Sequence, residues 1–148
     1  MENYKLTDGG SSTYVKDCLE LNDKTEVSNT HIQKVAALIR YKTDGSATYQ
    51  LCLSDGTNES CATEQTKTET ALTWGSESQW STTPSGGIWD WSEIAALKGC
   101  IKLKNGMTVH VLLYYVYYVD NNGNQMKKTI SWADSNSSTS KEYFLPSG

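Results

Sequence analysis

The chain has 148 residues and a net charge of −4; 37% of its residues are hydrophobic and 20% are charged. That length describes one domain with a core of its own, and no apolar run approaches a membrane span. Twelve of the thirteen basic residues are Lys, scattered along the chain, with Arg40 the single arginine, so no basic stripe forms and nucleic acid is not an expected partner.

From Met1 to Leu6 no basic stretch leads into an apolar one, so no signal peptide is expected. Thr13 to Leu21 reads as an early strand. Ile32 to Tyr41 has enough Ala and Leu for a helix. The turn residues Asp44-Gly45 and the alternating run Thr48-Tyr49-Gln50-Leu51-Cys52-Leu53 behind it instead predict a hairpin of two strands. Asp55-Gly56 marks the next turn. Thr63 to Trp74 is Thr-rich, and Ser78 to Thr83 brings in Trp80.

Asp90-Trp91-Ser92-Glu93 offers a capping box, with Asp90 or Ser92 as the cap. A helix of one or two turns over 92–97 follows, closed by Gly99. Cys100 to Leu103 resumes as a strand. Thr108 to Val119 is the clearest strand, rich in β-branched and aromatic residues. Period two divides it into Val109, Val111, Leu113, Tyr115, Tyr117 and Val119, assigned to the core, and His110, Leu112, Tyr114, Val116 and Tyr118, which then need a cover of their own. Asp120 to Asn124 is a turn, and Gln125 to Trp132 returns as a strand with Met126, Ile130 and Trp132 in one phase. Short strands at this spacing with one brief helix predict an all-β antiparallel sandwich or jelly roll. It occupies residues 1–132, and 133–148 is a C-terminal extension that either docks elsewhere or adds a final strand.

Four cysteines are too few for a disulfide-dense scaffold, and no Cys-x-x-Cys pair suggests zinc. Cys52 and Cys61 bracket a turn-rich stretch. They either form a disulfide across a hairpin or are two strand residues that never meet. Catalysis is not expected: there are two histidines, His31 and His110, and neither a nucleophile elbow nor a phosphate loop is present. Asp90 and Glu93 are accounted for by capping. Asp120, Asn122 and Asn124 alternate like the start of a calcium loop, but the Gly comes too early and Ser131 stands where a Glu is needed, so a plain turn is expected. No metal and no cofactor is predicted. Five Trp and nine Tyr against one Phe are a surplus that suits interfaces and sugar stacking. Of Trp74, Trp80, Trp89 and Trp91, two or three should fill the core and at least one should be exposed.

The segment from Trp80-Ser81-Thr82-Thr83-Pro84 through Ile88-Trp89-Asp90-Trp91-Ser92-Glu93-Ile94-Ala95-Ala96-Leu97 to Gly99-Cys100-Ile101-Lys102-Leu103 resembles a motif of β-sandwich proteins in phage and other prokaryotic virus particles. In that group W-x-T-x-P leads to a T-W-x-D/E-I/V-x-A-L turn, a G-V/I-x-L strand and a Val- and Tyr-rich strand. Ile32-Gln33-Lys34-Val35 and Asp44 to Leu51 sit where the group has a strand, a D-G-S/T turn and a second strand. The likeness runs from Ser12 to Val119 and stops at Asp120. It implies a virion structural protein, most concretely a decoration or cement protein that binds the capsid exterior; such a protein is made in the host cytoplasm and leaves on the particle. The implied partners are the major capsid protein or another virion protein, and further copies of the chain in a homotrimer. His110, Leu112, Tyr114, Val116 and Tyr118 would form the subunit interface, and Tyr143, Phe144 and Leu145 would anchor on the capsid. The alternative is a carbohydrate-binding module or a receptor-binding fibre or tail component.

Overall fold

Alternating apolar residues and closely spaced turns give thirteen strands and one helix in the computed structural model, which describes residues 3–21, 25–130, 132–137 and 141–144. In chain order these are β1 (Asn3–Thr7), β2 (Val15–Leu21), β3 (His31–Thr43), β4 (Ala47–Ser54), β5 (Glu59–Cys61), β6 (Gln65–Lys67), β7 (Thr73–Trp74) and β8 (Ser78–Trp80). The helix α1 (Trp91–Ala95) precedes β9 (Lys98–Lys104), β10 (Met107–Val119), β11 (Gln125–Ile130), β12 (Trp132–Ser137) and β13 (Lys141–Phe144).

Two antiparallel sheets pack face to face, as the all-β sandwich expectation has it. The seven-stranded sheet runs β13-β1-β10-β3-β7; β11 pairs with the far half of β10, and β8 with β3 beside β7. The six-stranded sheet runs β12-β2-β9-β4-β5, with β6 also on β4. Leu19, Leu21, Leu51, Leu53, Ile101 and Leu103 of one sheet meet Val35, Ala37, Ile39, Leu112, Tyr114 and Val116 of the other in a single buried cluster.

Three expectations are corrected. First, β3 and β4 are not a hairpin: the Asp44-Gly45 turn carries the chain from one sheet to the other, because both strands have an inner apolar set that only opposite sheets can bury together. Second, the helix spans Trp91–Ala95, and Gly99 lies inside β9 rather than closing the helix. Asp90 is the cap, its carboxylate accepting from the Glu93 N–H at 3.0 Å. Third, the described residues after 132 lie in strands of the two sheets: β12 pairs with β2 in one and β13 with β1 in the other. Tyr143 and Phe144 stand opposite Tyr4 and Asn3 in β13, while Leu145 lies outside the described residues.

Three connections cross between the sheets at one end; Asp8 joins two of them, and the third is tied to Gly106 by the Asp44 N–H, which donates to the Gly106 carbonyl at 2.9 Å. The buried Asp8 carboxylate accepts from the N–H groups of Gly10 at 2.7 Å, Gly106 at 3.0 Å and Met107 at 3.1 Å. Asn105 and Gly106 both have positive φ, the backbone of a tight corner that Asn and Gly tolerate. Asp8→Ala leaves those donors without their partner in a dry corner and should cost about 3 kcal/mol in urea unfolding. Asp8→Asn, which keeps one acceptor oxygen, should lose less. A change below about 0.5 kcal/mol for the alanine variant would show that the corner holds without Asp8.

At the opposite end three tryptophans close the sandwich. Trp80, Trp89 and Trp91 are buried, while Trp74 is 45% exposed. Each buried indole N–H donates: Trp80 to the Ser60 carbonyl, Trp89 to the Trp80 carbonyl and Trp91 to the Thr30 hydroxyl. These bonds explain why the apolar plug is built from Trp with its polar handle rather than from Phe.

The cysteines form two disulfides, Cys52–Cys61 and Cys18–Cys100. The first settles the open alternative at the hairpin; the second was not anticipated. In register, Cys18 faces Cys100, Cys100 faces Cys52 and Cys52 faces Cys61. All four therefore lie on one line across β2, β9, β4 and β5. They alternate with the core residues Leu19, Ile101, Leu51 and Leu53, which puts the line on the outer face of the six-stranded sheet.

Candidate functional site

A strand keeps its side chains on alternating faces only while its pairing is regular. In β10, Val109 pairs with Tyr41 and Val111 with the next residue back, Arg40, so His110 is an extra residue in the ladder. One such bulge exchanges the two faces of everything beyond it. Val109 points into the core, and beyond the bulge Leu112, Tyr114, Val116 and Tyr118 point there instead. Val111, Leu113 and Tyr115 form a second cluster, with Leu38 and Tyr117 packed against it.

The interface expected at Leu112, Tyr114, Val116 and Tyr118 is thereby corrected. Leu112, Tyr114 and Val116 are wholly buried inside the chain and Tyr118 nearly so, so they cannot meet another copy. His110 is the bulge residue and belongs to neither row. The set assigned to the core, from Val111 on, lies on the outer face of the seven-stranded sheet. A second bulge has the same effect in β3: Tyr117 pairs with Lys34 and Tyr118 with Ile32, leaving Gln33 over and returning Ile32 to the core side.

The outer face is aromatic and basic. Tyr117 has Lys34 as its cross-strand neighbour on one side and Lys127 on the other. The Lys34 ammonium is 5.0 Å from the centre of its ring. The Lys127 ammonium is 3.9 Å from the Tyr115 ring centre and 5.8 Å from that of Tyr117. Arg40 stacks over exposed Trp74 at 5.9 Å, and the two are paired in register. Charges over aromatic faces add about 0.5–1 kcal/mol each at such sites, and their stems shield the rings. Glu77 is the acidic member, accepting from the Tyr117 hydroxyl at 2.9 Å. Burial, followed by the Glu77 carboxylate, pushes the Tyr115 and Tyr117 phenols above their ordinary range, so both rings stay neutral near pH 7.

Leu72, near Trp74 in sequence, is also exposed. Val111, Leu113 and Tyr115 are buried on this face, so what it presents is the partly exposed Tyr117 ring, three cations, one carboxylate and the Trp74 indole, 45% exposed beside Arg40. What sequence reasoning missed was the phase of the stripe, and Lys34, Arg40, Lys127, Glu77 and Trp74 as its surround.

The other singled-out groups play structural parts. Asp120 accepts from the N–H groups of Asn122 and Asn124, both at 2.9 Å, as the hairpin-turn expectation requires. The acidic cap at Asp90 and Glu93 lies beside an open depression also lined by Glu26 and Ser92.

No family model matches the chain, and neither a curated protein nor a solved structure matches it.

Proposed function

We propose that the chain is a virion structural protein, a decoration or cement protein that joins copies of itself, as a trimer, on the outer capsid. The observation that carries this proposal is the outer face of the seven-stranded sheet, where partly exposed Tyr117 and exposed Trp74, with Lys34, Arg40, Lys127 and Glu77 around them, lie beside the buried cluster of Val111, Leu113 and Tyr115. Accessible Tyr and Trp rings beside an arginine, with charged groups around them, are a composition found at protein interfaces. Lys34, Arg40 and Lys127 make the face basic on a chain whose net charge is −4, so it suits an acidic partner surface. The resemblance of residues 80–103 to virion sandwich proteins supports the same reading. Two disulfides suit a protein that works outside the reducing cytoplasm.

The test is light scattering over a dilution series. The expected result is a trimer that Tyr117→Ser combined with Trp74→Ser converts to monomer, with a thermal midpoint close to that of the parent because both residues are at least partly exposed. A monomer at every concentration would remove self-association.

A second reading, glycan binding, is favoured by Trp74. It is the exposed indole among the described side chains, beside Arg40, and such a ring can stack on a sugar. A sugar-dependent shift in Trp emission that Trp74→Ser abolishes would favour it over assembly.

A further inference from the structure

The line of cysteines crosses four strands, and its members differ in exposure. Cys61 is exposed, Cys18 is partly buried, and Cys52 and Cys100 are buried. Directly opposed residues in an antiparallel sheet alternate between narrow pairs about 4.5 Å apart and wide pairs about 5.5 Å apart. The two disulfides occupy narrow pairs, with Cα separations of 4.1 and 4.0 Å. Cys52 and Cys100 are the wide pair between them, and about 5.5 Å is within the span a disulfide can bridge. Any three neighbouring cysteines on this line are thus one thiol and one disulfide placed for exchange.

The outer end of the line has the surroundings of a reaction site. The Lys102 ammonium is 3.8 Å from the Cys61 sulfur. The Glu59 carboxylate lies 3.4 Å from the same sulfur, and its charge there is offset by Lys102, at 3.4 Å, and Lys16, at 2.5 Å, both of which it binds. Cations favour an approaching thiolate. Cys61 also lines an open depression of about 330 Å³ with Thr63, Gln65, Ser76, Glu77 and Gln79. Its lining is polar and amide-bearing, as a small peptide would require.

We propose that Cys61 is a modification site for a small peptidyl thiol and that the cysteine line is an exchange relay behind it. The incoming thiolate attacks the exposed Cys61 sulfur. A new S–S bond forms there and the Cys52–Cys61 bond breaks, leaving the electron pair on Cys52. The Cys52 thiolate, buried and so disfavoured as a charge, attacks Cys100. The Cys52–Cys100 bond forms, the Cys18–Cys100 bond breaks, and the charge moves to the less buried Cys18, which takes up the proton released by the incoming thiol. The number of disulfides among the four cysteines falls by one, the mixed disulfide replaces it, and no oxidant is consumed.

The test uses the oxidised full chain, one equivalent of reduced glutathione without oxygen, and an iodoacetamide quench. Digestion after glutamate cuts at Glu59, between Cys52 and Cys61, so mass spectrometry can assign each sulfur. The expected products carry glutathione on Cys61, a Cys52–Cys100 link and carbamidomethyl on Cys18. An alkylated Cys52 beside an intact Cys18–Cys100 bond would overturn the relay, and absence of a Cys61 adduct would overturn the site. In Cys61→Ser, which places a thiol at Cys52 without any added reagent, Cys52–Cys100 is expected in at least a tenth of the molecules; its absence would likewise end the relay.

Discussion

Gly99→Ala should destabilise this domain by about 3 kcal/mol. Gly99 lies in β9 on the inner face, in register with Leu19 and Leu53. Opposite it, from the other sheet, stands Tyr114, wholly buried. A methyl group at position 99 would come within 2.3 Å of the Tyr114 Cζ and 2.4 Å of its hydroxyl. A ring held on all sides in a close-packed core cannot retreat that far. The glycine is there for the space, and the tyrosine fills it. The measurement is the urea midpoint of Gly99→Ala. A loss below about 1 kcal/mol would mean that the ring can shift and that the packing is looser than described. Tyr114→Phe supplies the contrast. The Tyr114 hydroxyl is buried without a hydrogen-bond partner among the described residues, and burial, with a smaller contribution from Asp17, pushes its phenol well above the ordinary range. Deleting that oxygen should leave stability unchanged or raise it by up to about 1 kcal/mol.

The second large effect is the unequal value of the two disulfides. Cys18–Cys100 closes a sequence separation of 82, and Cys52–Cys61 one of 9. If the main action is to restrict the unfolded chain, the long loop contributes about 4.5 kcal/mol and the short one about 2.5 kcal/mol. Replacing Cys18 and Cys100 together by alanine should therefore destabilise the fold by about 2 kcal/mol more than replacing Cys52 and Cys61. Paired denaturation curves of the two double variants measure this directly. Equal losses, or the reverse order, would show that native-state contacts on the outer sheet face outweigh chain entropy.

Much of the architecture was legible because strands advertise their period. β2, β4, β9 and β10 each lie where alternation and turn residues put them, and Asp90 caps the helix that its own spacing announces. What failed had local causes. Thr108 to Val119 is apolar on both faces, so alternation gave its period without saying which set faces inward. The bulge at His110 then exchanged the sets, and no residue type marks a bulge when both neighbours suit a strand. Asp44-Gly45 reads equally well as a hairpin turn or a corner between sheets, because both need the same backbone. Cys18 and Cys100 are too far apart in sequence for any spacing rule, and only the order β2-β9-β4-β5 brings the four cysteines into line. The candidate face drew on five segments of the chain, and its charged members Lys34, Arg40, Glu77 and Lys127 look like ordinary surface residues until the sheet places them together.

One side of the sandwich ends in β5, β6, β7 and β8, none longer than three residues. Together they break that border into pieces offset from one another, carrying Glu, Gln, Lys and Ser. A neighbouring chain looking for an open edge to extend finds no run of unpaired backbone long enough to copy there. Growth into amyloid-like ribbons by addition of a strand is blocked along that border.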